Sequence, residues 1–152
     1  MYSKQKFKTM NTSKIPTWFW IVAVLGLLWN AMGVFAFISD LTMTPEKLAL
    51  YTPEQQAALA DYPAWTKIIY GIATIAGLLG CIGVLMRKSW AVPLFLASLI
   101  AVIVQQAHSI FITRAVEVFG AGVAIVFPVV IIILSFVLLI FARIARGRNW
   151  LT

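Results

Sequence analysis

The chain has little of what catalytic and metal-binding sites are made of. It contains one cysteine, one histidine and five acidic residues among 152. Cys81 alone forms no intrachain disulfide, no Cys-x-x-Cys redox pair and no thiolate metal cluster, and in its apolar surroundings we expect it to pack as a small hydrophobe. A single histidine has no partner at metal-ligand spacing. Because no nucleophile and base lie at usable spacing and no nucleotide motif is present, we expect neither an enzyme nor a cofactor.

Charge is also scarce. Charged residues make up 11% of the chain and hydrophobic residues 62%, which is more apolar surface than one small soluble core can bury. The net charge of +7 would suggest nucleic acid as the partner of a soluble protein. Here the basic residues cluster at the ends of apolar stretches, as membrane topology requires. We therefore expect the partner to be the lipid bilayer and not nucleic acid.

Four apolar stretches are long enough to cross a bilayer, whose core of about 30 Å needs about 20 helical residues. They cover about 18–38, 65–86, 90–114 and 123–142. The outer loop 40–64 contains two helix-start signals, Thr44-Pro45-Glu46 and Thr52-Pro53-Glu54-Gln55, which predict two short helices lying along the membrane interface. The pattern predicts an all-α integral membrane four-helix bundle that forms a single domain over residues 1–152.

The distribution of charge predicts the orientation of these spans. The N-terminal segment, the turn at Arg87 and the C-terminal tail hold nine of the twelve basic residues and none of the acidic ones. The two connections at the opposite end carry all five acids. The positive-inside rule then places both termini in the cytoplasm, as expected for a multi-pass protein of the bacterial inner membrane.

Polar side chains within the spans form the candidate ligand-binding site. Counting a helical rise of about 1.5 Å per residue from the start of each span places Asn30, Gln105 and His108 in the outer half of the membrane. Tyr70 is expected at a similar level. A polar group directed at hydrocarbon is costly, so these groups should face one another, backbone or water. Amides also commonly join membrane helices by hydrogen bonds, which leaves a pure packing role open. His108 could carry or sense a proton.

Three further features predict how the spans pack, where the second outer connection lies and where Trp150 is placed. Tyr70, Ala73, Gly77 and Gly80 recur at spacings of three and four, which predicts a seam where two helices approach closely. Residues 115–122 are expected to form the second outer connection, with a surface ion pair between Arg114 and Glu117 and a break at the glycines that follow. Trp150 is expected to lie at the membrane interface.

Four motifs carry a resemblance to a known family. They are Leu28-Trp29-Asn30-Ala31-Met32-Gly33-Val34, Tyr62-Pro63-Ala64-Trp65, Arg87-Lys88-Ser89-Trp90-Ala91 and Glu117-Val118-Phe119-Gly120. The chain resembles a family of small bacterial four-span integral membrane proteins, uncharacterised or loosely labelled as sugar transporters. The resemblance covers nearly the whole chain and implies the four-span fold and a bacterial membrane. Small multidrug exporters would need a glutamate in the first span, where this chain has Asn30. Quinone-linked thiol oxidases would need paired cysteines, and this chain has Cys81 alone. Both families therefore fit the chain less well.

Two functions follow as hypotheses. In the first, the chain is a small-solute (sugar-like) transporter or transport accessory, with Asn30, Tyr70, Gln105 and His108 lining a polar pocket in the outer half of the bundle. A homodimer would supply the walls that four short spans lack, through the small-residue stripe or the fourth span. In the second, the chain is a non-transporting membrane scaffold or accessory subunit that binds a protein partner through its acidic outer loop.

Overall fold

The computed structural model describes residues 14–111 and 115–152. Within these residues every element is helical and none is a strand. In chain order they are α1 (Thr17–Leu41), α2 (Pro45–Leu48), α3 (Pro53–Ala60), α4 (Ala64–Leu85), α5 (Ala91–Phe111), α6 (Ala115–Ala121), a π-helix (Gly122–Val126) and α7 (Phe127–Gly147). Four stretches are long and apolar enough to cross a membrane: Thr17–Leu41, Ala64–Leu85, Ala91–Phe111 and Ala115–Gly147. The predicted all-α four-span membrane architecture is confirmed.

The fourth span differs from its prediction. Residues 115–122, expected to form an outer connection, are mostly helical and continue through the π-helix into α7, giving a helical stretch of 33 residues. Gly120 interrupts it with φ 80° and ψ 158°, so the break was predicted near the right place. The π-helix Gly122–Val126 follows this kink directly and leads into α7. Arg114, the predicted partner of Glu117, lies outside the described residues.

The two short outer helices are present where their start signals predicted them. The hydroxyl of Thr44 accepts a hydrogen bond from the backbone N–H of Lys47 at 3.3 Å. Thr52 and Gln55 form a reciprocal capping box, with N···O distances of 3.1 and 3.3 Å. Gln55 Nε2 also donates to the carbonyl oxygen of Val118 at 3.4 Å. This bond fastens α3 against α6, so the loop folds back over the end of the bundle.

Helix α4 packs against both α1 and α5, while α5 also packs against α7. Its small residues permit this close approach. A Cβ atom at Gly71 would lie 2.9 Å from the ring of Phe37 on α1, and one at Gly80 would lie 2.9 Å from the ring of Phe95 on α5. Of the predicted seam, Gly77 and Gly80 are confirmed as points of close approach to neighbouring helices of the same chain.

We expect Gly80→Ala to destabilise the fold by about 1 to 2 kcal/mol, because Phe95 is buried and its ring has little room to move. Gly147→Ala is the matched control, since a Cβ there meets nothing within 4 Å and alanine favours helix. Cys81 is 1% exposed, so its reaction with a thiol-reactive dye reports unfolding. Equal unfolding temperatures for the two variants would contradict this account of the seam.

The largest buried cluster lies at the end of the bundle opposite α2 and α3, and Trp150 is part of it. Trp150 was expected at the membrane interface, but its side chain is 3% exposed and packs into the protein core instead of presenting its ring to the headgroup layer. The cause is the turn that ends α7. Asn149 adopts φ 57°, and the backbone N–H of Trp150 donates to the carbonyl oxygen of Ala145 at 2.9 Å, which is the Schellman geometry. The chain therefore reverses and carries the indole back into the core.

Candidate functional site

Asn30 joins α1 to α4. Its Nδ2 donates to the carbonyl oxygen of Gly26 at 2.9 Å and lies 3.4 Å from the sulfur of Cys81. Its Oδ1 occupies the space that a Cβ atom at Gly77 would need. Gly77 is seven residues beyond Tyr70 along α4, which is about 10 Å deeper in the bundle. Asn30 therefore lies below the level of Tyr70, because α1 continues to Leu41 and places residue 30 near its middle.

Tyr70 and Gln105 do come together, at the end of the bundle that α2 and α3 cover. Both line a cavity of about 380 Å³, which we call the Tyr70 cavity. The ring of Tyr70 packs edge-on against Phe37, with ring centroids 5.2 Å apart. The other lining residues come from the ends of α1, α4 and α5 and from the outer loop: Asp40, Met43, Leu48, Gln56, Leu59, Ala60, Tyr62, Thr66, Lys67, Gln106 and Ser109.

His108 lines a second cavity, of about 660 Å³, which we call the His108 cavity. It lies between α3, α6 and the adjoining ends of α4 and α5, and is lined by Glu54, Ala57, Ala58, Asp61, Tyr62, Pro63, Ala115, Glu117, Val118 and Phe119 besides His108. The imidazole is 9% exposed. Its ring packs edge-on against Trp65, with centroids 4.8 Å apart. Its Nδ1 is buried and has no hydrogen-bond partner among the residues that the structure describes.

Tyr62 separates the two cavities, since it lines both. Its hydroxyl lies within hydrogen-bond distance of Ser109 Oγ, at 3.2 Å, and its ring centroid is 6.1 Å from that of His108. From the sequence, Glu54 and Asp61 were expected only to belong to an acidic loop that could bind a protein partner, and Tyr62 was not expected to line a cavity. The capping signals predict helices in the outer loop, but no pattern in the sequence predicts that α3 folds back over the bundle.

The structure thus distributes the four predicted site residues over three places: Tyr70 and Gln105 in one cavity, His108 in the next, and Asn30 deeper, between α1 and α4. The cavities offer hydroxyl, amide, carboxylate and imidazole groups, which suit reversible binding through hydrogen bonds and charge. In residues 14–111 and 115–152, no group of three His, Cys, Asp or Glu side chains could hold a metal ion. No family model, curated protein or solved structure matches the chain.

Proposed function

We propose that the protein is a small-solute transporter, or an accessory to one, in the bacterial inner membrane, and that the Tyr70 cavity receives a neutral, sugar-like solute. The observation that supports this is the convergence of Tyr70 and Gln105 on one cavity. Its volume of about 380 Å³ falls in the range of small-molecule sites. Hydroxyl and amide groups both donate and accept hydrogen bonds, which suits a solute rich in hydroxyl groups.

The charges around the Tyr70 cavity agree with a neutral occupant. Asp40 and Lys67 contribute one charge of each sign, and the remaining polar residues of the lining are uncharged amides and hydroxyls. In this proposal both termini are cytoplasmic, so the two cavities face the outside and the solute enters beneath α2 and α3. Asn30 is not part of the binding site and serves helix packing instead.

The proposal includes a homodimer, because four spans enclose little volume. The small-residue stripe of α4 is occupied by α1 and α5 within the chain, so it does not form the dimer interface. Helix α7 instead offers an exposed apolar row at spacings of three and four, Ile133, Phe136 and Ile140. We assign the second copy to this face, with lipid covering the other apolar surfaces.

Tyr70→Phe combined with Gln105→Leu should weaken the binding of a neutral monosaccharide by about tenfold or more, because the cavity loses a hydroxyl and an amide that bind the solute. Affinity is measured from the concentration-dependent rise in unfolding temperature, reported by Cys81 labelling across a panel that begins with glucose. Tyr51→Phe is the control, since Tyr51 is exposed and lines neither cavity. Binding that is unchanged in the double variant would refute the site, and no binding by any sugar would refute the solute class.

A further inference from the structure

Residues 42–63 of the outer loop form one wall of the Tyr70 cavity. This stretch, which contains α2 and α3, contributes Met43, Leu48, Gln56, Leu59, Ala60 and Tyr62 to the lining. None of residues 42–63 is buried, and none belongs to the buried clusters that hold the spans together. The stretch therefore lies over the cavity as a separate cover and is not part of the core of the bundle.

The hydrogen bonds that hold this cover against α5 and α6 are long. The hydroxyl of Tyr62 lies 3.2 Å from Ser109 Oγ on α5, and Gln55 Nε2 donates to the carbonyl oxygen of Val118 on α6 at 3.4 Å. Such bonds are commonest at about 2.7 to 3.0 Å, and each contributes little net free energy where water can replace it. The closed position of the cover is therefore only weakly favoured over an open one.

Within the cover, by contrast, the bonds that maintain its helices are local. The side chain of Thr44 caps α2, and the reciprocal pair of Thr52 and Gln55 caps α3. Both helices therefore keep their shape when the contacts with the bundle break. Residues 42–44 and 61–63, which join the cover to α1 and α4, are not helical. Rotation about short connections of this kind moves a segment as one body.

We propose that residues 42–63 are a lid that opens and closes over the Tyr70 cavity while the four spans stay folded. The lid opens when the bonds from Tyr62 to Ser109 and from Gln55 to Val118 break, and it closes when they form again. Such local opening requires less free energy than global unfolding, because it leaves the buried clusters intact. The lid rests on the proposed function, since it gives the solute its route to Tyr70.

Thr66 provides a reporter of opening, because it lines the Tyr70 cavity and is 5% exposed. In Thr66→Cys, a water-soluble methanethiosulfonate reagent reaches the introduced thiol when the lid opens. Cys81, which is 1% exposed, reports global unfolding in the same molecule. The full chain is labelled in detergent without solute, and mass spectrometry of peptides gives the rate at each site relative to the unfolded chain. The introduced thiol should react at least about tenfold faster than Cys81.

Two substitutions in the Thr66→Cys background should favour the open lid. Tyr62→Phe removes the hydroxyl near Ser109 and keeps the ring. Gln55→Glu keeps an oxygen that caps α3 but removes the N–H that donates to Val118. Each should speed labelling of the introduced thiol by about twofold to tenfold, the effect of losing one hydrogen bond. Tyr51→Phe is the matched control, since Tyr51 is exposed and lines neither cavity, and it should leave the rate unchanged.

Gly80→Ala separates opening of the lid from unfolding of the bundle. It weakens the packing of α4 on Phe95, which the open and closed states share, so it should speed the labelling of Cys81 and leave the introduced thiol unchanged. The proposal is overturned if Gly80→Ala speeds both sites alike, because the cavity would then open only by unfolding. It is also overturned if neither Tyr62→Phe nor Gln55→Glu changes the rate at the introduced thiol.

A second arm adds glucose, the first sugar of the panel for the Tyr70 cavity. A bound solute should favour the closed lid and slow the labelling of the introduced thiol in a saturable way. Tyr70→Phe/Gln105→Leu should weaken this protection. Because the first arm contains no solute, the two proposals fail separately. A lid that opens as described but responds to no sugar refutes the solute class and leaves the lid established.

Discussion

Trp150→Ala should lower the free energy of unfolding by about 3 to 5 kcal/mol, the range for removing a buried tryptophan from a packed core. The indole is 3% exposed and packs edge-on against Trp18 and Phe19, with centroids 5.6 and 5.7 Å away. Replacing it leaves a cavity among rigid aromatic rings that cannot collapse to fill it. The measurement is unfolding by sodium dodecyl sulfate in mixed micelles, followed by Cys81 labelling.

The loss of stability should exceed that expected from removing one buried side chain, because Trp150 also holds the tail, residues 148–152, against the bundle. Arg87 Nε donates to the carbonyl oxygen of Trp150 at 3.0 Å. Backbone bonds follow in both directions, from Ser89 N to Thr152 O at 2.9 Å and from Thr152 N to Arg87 O at 2.6 Å. The turn between α4 and α5 is thus paired to the residues after α7, and the tail ties the ends of three spans together.

Trp20→Ala is the matched control, since Trp20 lies at the same end of the bundle but is 37% exposed. It should cost about 1 kcal/mol or less, because lipid or detergent already surrounds much of its ring. If both variants lost the same stability, the tail would not be docked as the structure shows. If Trp150→Ala alone were destabilised and Asn149→Gly were not, the turn at Asn149 would be confirmed as a left-handed cap that glycine also satisfies.

The spans were predictable because the thickness of the bilayer sets their length. The short helices α2 and α3 were predictable because their start signals involve only residues that are close in sequence. Bilayer thickness fixes the length of an apolar run, and the capping box of Thr52 and Gln55 depends only on neighbours in sequence. The burial of Trp150 was not predictable in this way. It depends on Asn149 adopting a left-handed conformation and on a distant turn at Arg87 accepting the tail.

The candidate site was predictable only in part, for a geometric reason. Depth counting places residues along a helix but does not say which neighbour each face meets. Gln105 and Tyr70 converge because α4 and α5 are adjacent. Asn30 lies deeper, beside Gly77, because α1 extends to Leu41 and residue 30 falls near its middle. Glu54 on α3 and Asp61 just after it line a cavity because α3 packs against α6, a contact without a signal in the sequence.

Gly77→Ala should cost about 2 to 3 kcal/mol, the upper part of the usual range for overpacking. A Cβ atom there would occupy the position of Asn30 Oδ1 and would lie 3.1 Å from Ser98 Oγ. Neither neighbour moves freely. Asn30 is held by its bond to Gly26, and the buried hydroxyl of Ser98 donates to the carbonyl oxygen of Ala73 at 2.6 Å. The loss of stability is measured by the same labelling of Cys81, which lies beside Asn30.

A double-mutant cycle decides what Asn30 is for. Asn30→Ala alone should cost about 1 kcal/mol, because it removes the hydrogen bond to Gly26 within α1 and the longer one to Cys81 on α4. If its amide fills the space at Gly77, the pair Asn30→Ala/Gly77→Ala should be more stable than the sum of the single losses predicts, by about 1 kcal/mol or more. Gly33→Ala is the control on the same interface, since its Cβ would make only an ordinary contact of 3.5 Å with Thr74, and it should be nearly neutral.

The same variants separate packing from binding. Asn30→Ala should leave the affinity of the Tyr70 cavity for a monosaccharide unchanged once the loss of stability is taken into account, because Asn30 lies about 10 Å below Tyr70. Additive losses in the cycle together with weakened solute binding would reverse this assignment and return Asn30 to the ligand site. Coupled losses with unchanged binding would establish that one amide on α1 sets how closely that helix approaches α4.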